Sequence, residues 1–257
     1  MRKNLLRSFC LIIIVLMIFG CKKSSDHYLT IPWLSAYLPL TTGKYIIYRT
    51  DSTVFTNFGR NTEIHSYEEM QLVDSPITDA MGRTGYRVYR FLRDTSETQP
   101  WSSTGTLFIV PAQNTIEAIE DNMRVIKLDL PVAKGNSWNG NRYLPDQPYS
   151  DTYNFSNDDA MSSSDWNYTY SSLDTTLILN GKTINHVLIV NGVNEQTNVP
   201  ITDPGTYASI NYLQDKYAVG IGLAAQELIM WEYQPNTGGS GGYKVGFGVK
   251  RTMLNHN

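Results

Sequence analysis

After Pro39, short runs rich in Val, Ile, Thr and aromatic residues alternate with clusters of turn residues, and no long segment carries a helical period. This punctuation limits the fold more than any other feature. A strand needs only a few residues at a period of two, whereas a helix needs a sustained amphipathic repeat. The spacing predicts strands over Lys44–Asp51, Glu63–Val73, Tyr86–Arg93, Thr104–Val110, Thr115–Ile119 and Arg124–Leu130. It predicts more over Asp165–Ser171, Thr175–Leu179, Thr183–Asn191, Ile210–Val219, Ala224–Tyr233 and Lys244–Thr252. The expected fold class is therefore all-β: one antiparallel domain, a sandwich or barrel of about twelve strands.

Within "KTINHVLIV" (Lys182–Val190), Ile184, His186, Leu188 and Val190 share one face. The opposite face is apolar beyond Asn185, which marks a central strand. "LNGK" at Leu179–Lys182 places Asn-Gly between two strands, the strongest short hairpin signal, because both residues tolerate positive φ. Gly246 and Gly248 alternate within the last strand and suit strong curvature or close backbone approach. "PLTTGKYIIY" and "PVAKGNSW" form a faint internal echo, each a turn entering a strand. The longest stretch without strand or helix signals is Asn139–Ser164, and loops of that length are usually functional or disordered.

The amino terminus has a different logic. Arg2, Lys3 and Arg7 precede an unbroken apolar run, Phe9–Phe19, which ends in "GCKKSSD". A positive segment followed by an apolar segment is the pattern of a secretory signal. A stable membrane span needs about 20 apolar residues, so this run is too short to be one. Ile18-Phe19-Gly20-Cys21 resembles the lipobox of bacterial lipoproteins, with Gly20 as the small residue at the cut. The resemblance implies a signal peptide over residues 1–20, lipid on Cys21, a tether over residues 21–38 and the all-β domain over residues 39–257. Two or more acyl chains give the stable membrane anchoring that a single chain does not.

Cys10 and Cys21 are the only cysteines, so cleavage and lipidation would leave no free thiol. A thiol nucleophile, a cysteine zinc site and a redox pair then fall away. Removing Arg2, Lys3 and Arg7 from 21 basic residues leaves 18 against 24 acidic ones. Phosphate binding needs a clustered basic face, and none is present, so nucleic acid is not an expected partner. Lys22-Lys23 would lie beside the lipid, as a solvated tether or against anionic head groups. Trp33, Leu34, Tyr37 and Leu38 suggest a short turn or helix packed on the domain.

Four segments occur in order: "YLPLTTGKYIIYRTDS", "KLDLPVAKGNSW", "NGKTINHVLIVNG" and "DKYAVGIGLAAQEL". The series resembles β-rich outer-membrane lipoproteins of the Bacteroidota type, which carry Pro-x-x-x-Gly-x-aromatic and Tyr-x-x-Gly-x-Gly-Leu motifs. Tyr217, Gly220, Gly222 and Leu223 match the second motif. The resemblance implies a strongly curved sheet or half-barrel at the outer membrane, facing the periplasm or the cell surface. It brings no catalytic residue.

Candidate chemistry is sparse. His27, His65, His186 and His256 form no His-x-x-x-His pair, and His186 among aliphatics reads as a core histidine or a pocket ligand. "GGSGG" (Gly238–Gly242) lacks the strand-to-helix setting of a nucleophile elbow. The acidic pairs Glu68/Glu69, Glu117/Glu120 and Asp158/Asp159 have no distinctive context for glycoside hydrolysis. "SNDDAMSSSD" (Ser156–Asp165) concentrates oxygen atoms without the calcium-loop order. In "SDWNYTYSS", Trp166, Tyr168 and Tyr170 share one strand face, as a core wall or as a platform for sugar or lipid.

The expectation is a non-catalytic envelope protein with no cofactor or metal, anchored through Cys21 and binding an apolar ligand or lipid. A glycan-binding module and a carboxylate hydrolase are the alternatives. Trp166, Tyr168, Tyr170 and His186 are the candidate ligand residues.

Overall fold

The computed structural model describes residues 33–257 apart from 237 and 240. The expected signal segment and Cys21 lie outside the described residues. The chain is all-β, with twelve antiparallel strands in one sheet curved into a nearly closed barrel. The strands are β1 (Tyr45–Thr56), β2 (Asn61–Thr78), β3 (Thr84–Asp94), β4 (Ser102–Pro111), β5 (Thr115–Glu120) and β6 (Met123–Asp129). After them come β7 (Ser137–Asn139), β8 (Asn167–Leu179), β9 (Lys182–Thr197), β10 (Ala208–Ala218), β11 (Gly222–Gln234) and β12 (Tyr243–His256). Among the described residues there are two single-turn helices, α1 (Leu34–Tyr37) and α2 (Asp158–Met161).

The order around the sheet is β6-β5-β4-β3-β2-β1-β12-β11-β10-β9-β8-β7. Every neighbour pair is consecutive in sequence except β1–β12. The first and last strands share a ladder from Ile46↔His256 to Thr53↔Gly248. The break in the barrel therefore falls in mid-chain, between β6 and β7, where side chains close the seam. Tyr170 Oη donates to the Asp129 carbonyl (2.6 Å) and accepts from the Asp129 amide (2.9 Å). Trp138 Nε1 donates to the Ile126 carbonyl (3.0 Å), and the Ile126 amide donates to Gly140 O (2.8 Å). Trp138 also packs on Tyr170 with ring centroids 4.7 Å apart.

The predicted strands sit in place, mostly lengthened. Asp165–Ser171 and Thr175–Leu179 are two halves of β8, interrupted by register shifts rather than by a turn. The short β7 carries too few residues to show a period. Asn180 and Gly181 turn the β8–β9 hairpin with φ of 50° and 74°, the conformation an Asn-Gly pair adopts without steric penalty. At Gly246 a Cβ would stand 2.2 Å from the Met230 carbonyl, so β11 and β12 approach there only because the residue is glycine.

His186 corrects the alternation expected for β9. It stands at φ 58° and its partner Asp174 at φ 52°, on a stretch where the β8–β9 register shifts twice. This irregularity turns the ring out: His186 is 68% exposed and bonds Asp174 through Nδ1, so it is not a core histidine. Beyond it Val187 and Leu188 are both fully buried, as a central strand requires.

The segment Asn139–Ser164 is folded against one end of the barrel. Tyr149 and Tyr153 pack on Phe247, with centroids at 5.1 and 5.2 Å, and Met161 is buried. The Glu232 carboxylate, itself buried, accepts from the Ser156 amide (2.7 Å), Ser156 Oγ (2.8 Å) and the Asn157 amide (3.3 Å). Outside a ladder, backbone donors need other acceptors, and Glu232 supplies them to Ser156 and Asn157. At the start of the described residues, α1 buries Leu34 and Tyr37 while Trp33 is 77% exposed.

Candidate functional site

Alternation along the strands places charge inside this barrel. Ile46, Tyr48 and Thr50 of β1 point inward, as do Glu69, Gln71 and Val73 of β2. The interior groups join into a continuous chain of ion pairs and hydrogen bonds. Glu120 (β5) meets Arg90 (β3) through Arg90 Nη1. Arg90 Nε is 3.0 Å from Glu69 Oε1, and Arg251 Nε (β12) is 2.9 Å from Glu69 Oε2. Arg251 Nη1 donates to Gln226 of β11. Gln226 Nε2 donates to Asp215 Oδ1 of β10 at 2.7 Å. Lys127 Nζ of β6 reaches Asp215 Oδ2 at 3.1 Å, and Tyr217 Oη donates to the same oxygen at 3.0 Å.

Lys127 owes its direction to a bulge. Adjacent Ile116 and Glu117 pair with Leu128 and Ile126, leaving Lys127 as the extra residue of β6. Bulges re-aim side chains, and this one sends the ammonium across the barrel to β10. Burial raises the carboxyl pKa of Glu69, but Arg251 and then Arg90 outweigh it and bring it down to about 2. Burial works against the charge of Arg251, yet Glu69 and Glu120 hold its pKa above the ordinary arginine value. The Tyr48 and Tyr217 hydroxyls are pushed up by burial first, then by Glu69 and Asp215 respectively. Glu69, Arg251, Tyr48 and Tyr217 therefore each stay in one charge state around neutral pH.

Beside this belt lies a cavity of about 110 Å³. Val73, Val88, Leu107, Ile109 and Leu223 give it an apolar wall, with Ala118 at one side. Glu120, Lys127, Gln226 and Arg251 give it a polar one. Leu38, Pro39, Leu40, Lys44 and Tyr45 line one rim of it and are half-buried, whereas Tyr48 and Tyr217 are buried. Lys44 Nζ donates to the Asn257 backbone oxygen (2.7 Å) at this rim.

None of Trp166, Tyr168, Tyr170 and His186 lines this cavity. The aromatic row points inward, with all three rings buried. Tyr170 seals the seam. Tyr168 Oη donates to Asn141 Oδ1 (2.9 Å), and Trp166 Nε1 donates to the Ser162 carbonyl (3.1 Å). The two residues thus hold the end segment in place. Trp166 also borders a separate polar hollow with Asp159, Asp165 and Glu195, without presenting an exposed ring face.

The acidic pairs part company. Glu68 turns outward to Arg93 (2.8 Å) while Glu69 turns inward. Glu117 binds Arg83 and Arg124, whereas Glu120 binds Arg90. Glu69 and Glu120 do converge, but on the same guanidinium. Asp158 and Asp159 are exposed on α2. Among the described residues no group of three or more His, Cys, Asp or Glu side chains is arranged to hold a metal ion.

Sequence reading passed over Arg90, Lys127, Asp215, Gln226 and Arg251. The signal was available in part, since Asp215 alternates with Leu213 and Tyr217 on one face of its strand. Charges at buried parity mark such a belt. Compared with protein-family models and with curated proteins, the chain matches none.

Proposed function

We propose that the chain is a non-catalytic binding protein of the bacterial envelope, held at the outer membrane by lipid on Cys21. It takes the apolar part of a lipid or small molecule into the mouth of the barrel. The observation that carries this reading is the cavity beside the belt, lined in part by Leu38–Leu40, with an apolar wall and a polar wall. Binding sites for small molecules are commonly mostly apolar with a few fixed polar groups. The far end of the barrel is covered by Asn139–Ser164. The interior carboxylates Glu69 and Asp215 are engaged by fixed donors, which favours binding over acid–base chemistry.

Native mass spectrometry tests the reading on the mature chain carrying Cys21→Ser, exported to a bacterial periplasm and purified without detergent. Reproducible adducts of lipid mass, lost on denaturation and lost in an Ala118→Trp variant that fills the cavity, are expected. A bare mass in the unsubstituted barrel, on well-folded protein, overturns it. The anchor is tested separately: wild type should enter the detergent phase on phase partitioning, and Cys21→Ser should stay in the aqueous phase. Equal partitioning of the two removes the lipid from the proposal.

A further inference from the structure

We infer that the ligand carries a carboxylate head group, received by Lys127 and Arg251, with its hydrocarbon chain lying along Val73, Val88, Leu107 and Ile109. This rests on the proposal that the cavity binds an amphipathic molecule, and it specifies which kind. The reasoning is a count of unused hydrogen-bonding capacity. Glu69 already accepts from Arg90, Arg251, Gln71 and Thr50. Asp215 already accepts from Lys127, Gln226 and Tyr217. The donors are not so fully used. An ammonium has three N–H groups and a guanidinium five. Among the described residues, Lys127 Nζ has one side-chain acceptor, and Arg251 Nη2 has none.

Both cations line the cavity. Glu120 is the one acid that lines it too, and Arg90 already binds one of its oxygens. Against one open oxygen on Glu120 and Gln71 Oε1, the surplus inside the cavity is of donors, in a space whose remaining wall is apolar. Unsatisfied donors in such a setting favour an acceptor-rich partner, and a charge-assisted pair is the strongest form of that contact. A carboxylate matches this need, and an alcohol matches it only in part. An amine would add donors where they are already in excess. An engineered cavity of about 150 Å³ holds one benzene. This cavity, at about 110 Å³, thus takes one end of a chain while the remainder leaves past Leu38–Leu40.

The test is calorimetric titration of octanoate, octanol and octylamine into the mature chain carrying Cys21→Ser. Octanoate is expected to bind at least about tenfold more tightly than the other two. Lys127→Met should remove that preference while leaving octanol binding within about twofold, and Lys127→Arg should restore it. Should Lys127→Met fail to fold, the three-ligand comparison on the unsubstituted barrel decides alone. Octanol or octylamine binding as tightly as octanoate overturns the head-group assignment and leaves the amphipathic cavity standing. Binding of none of the three, on protein that unfolds cooperatively, overturns both.

Discussion

At the scale of single residues, the unusual feature is a fully buried glutamate held between two arginines. Glu69 has a folded pKa of about 2 against an ordinary 4.5. A carboxyl whose pKa is depressed on folding stabilises the fold above its unfolded pKa, and that contribution is lost as pH falls through the folded one. Glu69 should therefore contribute fully above pH 4.5 and lose its contribution progressively down to about pH 2. Removing its charge leaves Arg90 and Arg251 facing each other in the interior, and breaking such a buried pair costs about 3–5 kcal/mol. Glu69→Gln should lower stability at pH 7 by that order and flatten the acid dependence, measured by denaturant unfolding at pH 7 and pH 3. An acid profile that stays as steep in the variant would show that another carboxylate governs it.

At the scale of elements, the segment Asn139–Ser164 has little secondary structure of its own and is held by side chains reaching out of strands. Glu232 of β11 anchors Ser156 and Asn157, and Asn211 of β10 donates to the Ala160 carbonyl (2.7 Å); within the segment itself Asn141 donates to Ser163 O (2.6 Å). Replacing Glu232 by Gln exchanges a charged acceptor for a neutral one at a buried site, a change of about 1–3 kcal/mol. The expected outcome is faster proteolysis within residues 139–164 with the strands still protected. Cleavage at the wild-type rate would mean that Tyr149, Tyr153 and Phe247 hold the segment without Glu232. The β8–β9 hairpin uses a similar device, since Asn180 in its turn donates to the Met253 carbonyl of β12 (3.0 Å). The irregularity at Asp174 and His186 lets the hairpin bend before reaching that contact.

At the scale of the whole molecule, the barrel is sealed by two different kinds of joint. Between β1 and β12 the joint is a backbone ladder. Between β6 and β7 it is one backbone hydrogen bond with Tyr170 and Trp138, assisted by the Lys127–Asp215 pair across the interior. Local opening follows the weakest set of contacts. Hydrogen exchange should therefore show the amides of Ser137–Asn139 and Asp129 opening before those of β1 and β12. Tyr170→Phe should speed the Asp129 amide further, because it deletes both hydrogen bonds there. Uniform exchange around the barrel would argue against a seam at β6–β7.

Alternation of apolar and polar residues, Asn-Gly turn chemistry and the lack of helical period were enough to establish an all-β antiparallel chain of about twelve strands. These are local properties, fixed within a few residues by sterics and by the two-residue period of a strand. Tertiary structure alone decided which strands meet at the ends of the sheet, and therefore where the barrel closes. It also decided that the row Trp166, Tyr168 and Tyr170 serves the seam and the end segment, and that His186 faces solvent. It brought Glu69, Arg90, Lys127, Asp215 and Arg251 from five strands into one belt. Each of those pairs spans many residues of chain, and a local pattern records only that a charge faces inward. The partner that neutralises it is set by curvature, register and the Lys127 bulge, which form only when the whole sheet is assembled.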